Sequence, residues 1–171
     1  MDKMHCRLHE LVIDDCGDYF FIRKWREWLT LRCHLASAGF DDNFGPAALD
    51  CLAFALESDH DQVVRNGNGE GRTQILVTSI GMASFFLHGA DVTCGLCKDN
   101  RVVPKVENSK PEGSLWTQIR GGQSPGAFTP DRWQFWKQRL SMLYVRNEMQ
   151  DEDAMEHIND AISAWKKGGR S

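Results

Sequence analysis

The stretch Phe128-Thr-Pro-Asp-Arg-Trp-Gln-Phe-Trp-Lys-Gln-Arg-Leu-Ser-Met-Leu-Tyr144 constrains the fold most, because no other segment carries so many large apolar side chains at helical spacing. Thr129 is a good N-cap and Pro130 a good first helical residue, since proline's missing N–H would be unpaired there anyway. With that start Phe128 falls at N′ and Trp133 at N4, the two positions of a hydrophobic staple. Trp133, Trp136, Leu140 and Leu143 then follow at i, i+3, i+7 and i+10 on one face. Phe135 and Met142 form a weaker stripe on the other side. A helix that is apolar on two sides belongs between other elements, so the spacing predicts that this one lies near the middle of the fold.

The remaining chain also reads as helices. Residues 22–38 place Trp25, Trp28, Leu29, Leu35 and Ala36 on one face, with Gly39 as a C′ residue and Phe40 at C″ covering the last turn. Arg32 lies inside that stripe, either packing its stem and reaching the rim or held as a charge in a cleft. Asp41-Asp-Asn-Phe-Gly-Pro46 is a turn and helix start. A second helix runs to about Glu57 with Leu49, Leu52 and Leu56 as its stripe and Phe44 at its mouth, antiparallel to the first. The tract Arg65-Asn-Gly-Asn-Gly-Glu-Gly-Arg72 reads as a flexible loop and lacks the Gly-Lys-Ser/Thr ending of a phosphate loop.

From Thr73, the residues Leu76, Ile80, Ala83, Leu87, Ala90 and Cys94 fall close to one line. They predict one long central helix to about residue 97, with Gly81 and Gly89 permitting close contacts. Residues 98–127 have no apolar period and read as a long irregular connection, a binding loop or lid, in which Leu115, Trp116 and Ile119 are anchors. A last helix starts near Asp151–Asp153, with Met155, Ile158, Ile162 and Trp165 as its face and Gly168-Gly169 at its end. Residues 1–20 are poorly defined. The expectation is one domain over 1–171: an all-α bundle of about five helices with one long irregular connection.

The totals narrow the function. A chain of 171 residues is long enough to bury a core without staples. A net charge of −4 argues against nucleic acid as the main partner, because a phosphate backbone asks for clustered positive charge. No run of apolar residues is long enough for a membrane span. Charges stand where a signal peptide would need its apolar region, so a cytoplasmic, intracellular location is expected. The six cysteines then read as reduced thiols acting chiefly as small core hydrophobes. Cys94-Gly-Leu-Cys97 has no second Cys pair and no preceding strand, so neither a zinc site nor a redox motif is expected. His5, Cys6 and His9 lack a second ligand cluster. No metal and no cofactor are expected.

The pattern Leu115-Trp116, Gly121-Gly122 and Arg132-Trp-Gln-Phe-Trp-Lys-Gln-Arg139 resembles a family of uncharacterised helical proteins from filamentous fungi. In that family a Leu-Trp, a Gly-rich stretch and an Arg-Trp-x-Phe-Trp-Lys-x-Arg helix occur in this order. The Ala38-Gly-Phe40 turn and the helix at Ala48–Glu57 are similar too. The resemblance covers roughly residues 22–165. It implies an all-α fold and a fungal source, and no activity.

Asn159-Asp160-x-x-Ser163-x-x-x-Lys167, with Asp41-Asp42 upstream, resembles the metal motifs of class I terpene synthases. Lys167 stands where a carboxylate is required and the chain is too short for that helical barrel, so this reading is set aside. Six tryptophans are more often core than pocket. If they do line a pocket for a small apolar molecule, Trp116 would close over a cavity floored by Trp133 or Trp136, and the ligand-binding candidates are Trp116, Trp133, Trp136, His88 and Arg32. His88, Glu57 and His60 are the candidate acids or bases, though no catalytic motif marks them. The expectation is a binding or interaction module with a protein or small apolar partner. The alternative is a cofactor-free small enzyme with an aromatic-lined pocket in fungal small-molecule metabolism.

Overall fold

A computed structural model describes residues 19–60, 82–103, 113–120, 126–146 and 152–168. Among these residues seven helices occur and no strand, so the chain is all-α. They are α1 (Tyr19–Ser37), α2 (Phe44–Glu57), α3 (82–88), α4 (Ala90–Lys98), α5 (Ser114–Arg120), α6 (Pro130–Arg146) and α7 (Glu152–Gly168).

The count exceeds the expected five for two reasons. First, the predicted central helix breaks at Gly89, which separates α3 from α4. A Cβ at that position would stand 3.0 Å from Cys33 Sγ and 3.1 Å from Phe44 Cζ. The close approach foreseen at Gly89 is therefore real, and it comes with a bend rather than a straight helix. Second, the connection 98–127 contains α5. Its ends are also tied together: Val102 and Ala127 form an isolated antiparallel bridge, Val103 N–H donates to Gly126 O at 3.1 Å and Phe128 N–H to Arg101 O at 2.8 Å. The backbone groups at the base of the connection are thus paired without a sheet.

α6 follows its sequence signals. Arg132 N–H donates to Thr129 Oγ1 at 3.2 Å, as an N-cap should receive it. Trp133, Trp136, Leu140 and Leu143 are all buried. Phe135 is half-buried and Met142 is exposed, so the second stripe is the weaker one. The staple differs from expectation: Phe128 meets Trp136 edge-on at 5.9 Å, while Trp133 stacks on Phe86 at 5.0 Å. The α3 ring reaches Trp133 first and leaves Phe128 to the next turn. α2 buries Phe44, Leu49, Leu52 and Leu56 as its stripe predicted. α7 buries Ile158, Ala161 and Ile162 and half-buries Met155.

α1 keeps its predicted face except at Leu35. Leu29 and Cys33 are buried, Trp25, Trp28 and Ala36 pack partly on the core, and Leu35 is exposed. Its end is a Schellman motif: Gly39 has φ +80°, its N–H donates to Ala36 O, and Phe40 N–H donates to Leu35 O at 2.8 Å. The backbone therefore closes as expected, yet the Phe40 ring is 80% exposed and covers nothing. Ile119 is likewise exposed at 62%, whereas Trp116 of the same connection is buried. Ile119, at i+3, is on nearly the same face as Trp116, but residues 117–119 are all exposed, so the buried contact stops at Trp116. The Gly-rich tract 65–72, the His5/Cys6/His9 cluster, the helical start from Thr73 through Ile80 and the Trp165 side chain lie outside the described residues. Among the described residues no helix is long and apolar enough to cross a membrane.

Candidate functional site

The five sequence-predicted residues fall in three places. Trp116, Trp133 and Trp136 lie around the start of α6, Arg32 on the last turns of α1, and His88 at the end of α3.

The first place is organised by two residues that hydropathy patterning underrates. Arg132 and Glu57 are both fully buried. Arg132 Nε donates to Glu57 Oε1 at 2.6 Å and Arg132 Nη2 to Oε2 at 2.9 Å, the fork geometry peculiar to arginine. Trp136 Nε1–H donates to Oε1 at 2.7 Å and the Gly113 N–H to Oε2 at 2.8 Å. Arg132 Nη1 donates to Ala127 O at 2.9 Å. The guanidinium carbon also lies 5.2 Å from the Trp136 ring centre and 5.8 Å from that of Trp116, which itself meets Phe135 at 5.3 Å. Gly113 has to be glycine here: a Cβ would come within 2.5 Å of the Glu57 backbone. Arg139 Nε completes the end of α2 by donating to Leu56 O at 3.1 Å.

This arrangement cannot do acid–base chemistry on a substrate. Each Glu57 oxygen already accepts two N–H donors, and the carboxylate is out of reach of solvent. It is a structural node that ties the end of α2, the start of α5, residue 127 and the start of α6. Two signals in the sequence could have found it. Arg132 stands on the i, i+4, i+8, i+12 line Phe128, Arg132, Trp136 and Leu140, and Glu57 follows the buried Ala53 at i+4 in α2. A charge inside an apolar stripe asks for a buried partner.

Arg32 makes a bidentate pair with Asp41, Nε to Oδ2 at 2.7 Å and Nη2 to Oδ1 at 3.0 Å. Its guanidinium lies 5.0 Å from the Trp28 ring centre. Asp41 Oδ1 also accepts from Asn43 N–H at 3.1 Å, an Asx turn that sets up α2. Asp41 therefore serves the α1–α2 corner.

His88 lines a surface groove of about 370 Å³ with Arg26, Thr30, Ala83, Ser84, Leu87 and Asp160. The groove runs between α1 and α3, with α7 at one side, and its lining contains none of Trp116, Trp133 and Trp136. His34 and His88 face each other with ring centres 5.5 Å apart. The His88 pKa lies below its usual value, first through partial desolvation and then through His34 and Arg26. His60, the third candidate acid or base, is buried with Nε2 2.8 Å from Ala55 O; that carbonyl can only accept, so Nε2 is the donor.

Among the described residues no three His, Cys, Asp or Glu side chains converge as metal ligands, and Cys33, Cys51, Cys94 and Cys97 are free thiols. Burial pushes Cys33 and Cys97 up to about 12 and raises Cys51 as well. Cys97, rather than Cys94, is the buried member of the C-x-x-C pair.

A family model described as "Protein of unknown function (DUF3632)" matches residues 15–140. No curated protein and no solved structure matches the chain.

Proposed function

The chain belongs to that DUF3632 family, whose function is unknown, and on that premise we propose that it works as a binding or interaction module whose contact element is the turn ending α1. The observation that carries this reading is Phe40, an aromatic ring left 80% exposed on a turn held at every joint. Leu31 at 54% and Leu35 at 39% exposure stand one helical turn apart beside it. The Schellman bonds, the Arg32–Asp41 fork and the Asn43 bond fix the backbone that carries the ring. An aromatic anchor already held in place loses little conformational freedom on docking, and such anchors dominate protein interfaces. The partner in this reading is a protein with an apolar pocket for the ring. An intracellular fungal setting is part of the same reading, since that is where six thiols stay reduced.

The second reading is a cofactor-free enzyme or carrier of a small molecule. The α1–α3 groove with His88 favours it.

Paired affinity captures from fungal lysate separate the two. Phe40→Ser removes the ring from an exposed position, so the variant should fold as the parent does. A protein retained by the parent and depleted at least about tenfold with Phe40→Ser, one tenfold being about 1.4 kcal/mol, supports the interaction reading. Proteins retained equally by both baits refute it. A co-purifying small molecule that His88→Ala loses favours the groove instead.

A further inference from the structure

The groove between α1 and α3 is lined by two polar rows. Arg26 and Thr30 line it at i and i+4 on α1, and Ser84 and His88 at i and i+4 on α3. His34 continues the α1 row at i+8, beyond the lining residues, and its ring meets that of His88 at the groove's end. We propose that His34 and His88 form a two-histidine site for a late first-row divalent cation such as copper, nickel or zinc.

Distance is the first argument. A metal about 2.0–2.1 Å from each ring nitrogen sits roughly 3.2 Å from each ring centre, which places the two centres about 5–6 Å apart for ordinary bond angles. The observed separation is 5.5 Å. Both side chains are exposed, and imidazole χ2 is broad, so each ring can turn a nitrogen inward at little cost.

Position is the second argument. His34 stands in the last turn of α1, and His88 is the last residue of α3. His34 therefore stands near the C-terminus of a five-turn helix, whose dipole favours a cation. The Asp160 carboxylate lines the same groove as Arg26, which offsets that guanidinium.

The protein supplies two ligands, since no third joins them among the described residues, and water fills the other positions. Such a site follows the imidazole preference for copper, nickel and zinc and leaves magnesium unbound.

The test is calorimetric titration of the full reduced chain with Cu²⁺, Ni²⁺, Zn²⁺ and Mg²⁺ at pH 7.5. We expect one equivalent of at least one late metal to bind and no Mg²⁺. His34→Ala and His88→Ala should each weaken that binding tenfold or more, while His5→Ala/His9→Ala should leave it unchanged. Lowering the pH to 5.5 should weaken it by protonating the ligands. Binding that survives either groove substitution, binding lost only in the His5/His9 variant, or no late-metal binding at all would each overturn the proposal. Both histidines are exposed, so neither substitution should disturb folding, and circular dichroism checks this.

Discussion

Replacing Glu57 by glutamine keeps the shape of the side chain and removes its charge. The carboxylate oxygens divide four donors between them: Arg132 Nε and Trp136 Nε1 at one, Arg132 Nη2 and Gly113 N at the other. Whichever way a glutamine amide is turned, its NH₂ faces two N–H groups. The guanidinium is left charged and fully buried. Breaking a buried pair by removing one partner costs about 3–5 kcal/mol. With a urea m-value of about 2 kcal/mol/M, the unfolding midpoint should fall by about 2 M. A domain with about 5–15 kcal/mol of stability can lose most of its margin this way, so a second variant is needed. Glu57→Leu/Arg132→Met removes both charges and leaves, among the described groups, Trp136 Nε1, Gly113 N and Ala127 O short of a partner, at about 1–3 kcal/mol each. The double variant should therefore cost less than the sum of its two single variants by about 2 kcal/mol or more. A midpoint shift below about 0.5 M for Glu57→Gln, or additive losses in the cycle, would refute the view that this pair organises the fold.

Trp116→Ala should cost about 3–5 kcal/mol, close to Trp136→Ala, because the ring is buried against Phe135 and Arg132; a loss below about 1.5 kcal/mol in the same urea assay would make Trp116 a lid. Cys33 and Cys97, pushed up to about 12 by burial, should resist alkylation at pH 8 until urea unfolds the chain, and peptide mapping that finds either labelled in the native protein contradicts the burial argument. His88 titrates below its usual 6.5 in the folded state, so the unfolded chain binds its proton first as pH falls. Its contribution to stability is present above pH 6.5 and is lost as pH drops through the folded value. Urea midpoints should therefore fall from pH 7 toward 5, less steeply in His88→Gln, and equal slopes would count against this.

The apolar frame was legible because it repeats. Leu49, Leu52 and Leu56, or Trp133, Trp136, Leu140 and Leu143, need only a 3.6-residue period to be placed on one face, and all are buried. The node was not legible as a pair. Glu57 and Arg132 are 75 residues apart, and no local rule links a carboxylate at one helix end to a guanidinium at another helix start. α5 was missed because seven residues are too few for a period to emerge against a polar background. The break at Gly89 escaped because the apolar line runs through it, and only the crowding by Cys33 and Phe44 shows why the backbone bends there. Arg32 was readable as a stripe arginine, but its partner Asp41 became visible only once the Schellman turn had folded the chain back.

A buried ion pair is weak evidence of stability, since apolar residues of similar volume often do as well. Its advantage here is register. The fork from Arg132 fits one carboxylate in one orientation, and the two remaining acceptor positions are taken by Trp136 and by a backbone N–H that only a glycine can bring close enough. An apolar contact would let α5 and the start of α6 slide along the end of α2, whereas this one does not. The groups proposed for binding stand at the other end of the same helix. Phe44 opens α2 beside the Phe40 turn, and Glu57 closes this 14-residue helix, about 20 Å away at 1.5 Å per residue. Sites that far apart with no shared partner act independently to within a few tenths of a kcal/mol. Phe40→Ser should therefore change partner capture without changing the urea midpoint, and Arg132→Met the midpoint without changing capture by the folded fraction. If either variant moved both readouts, the node and the turn would have to be one coupled unit, and α2 the element that couples them.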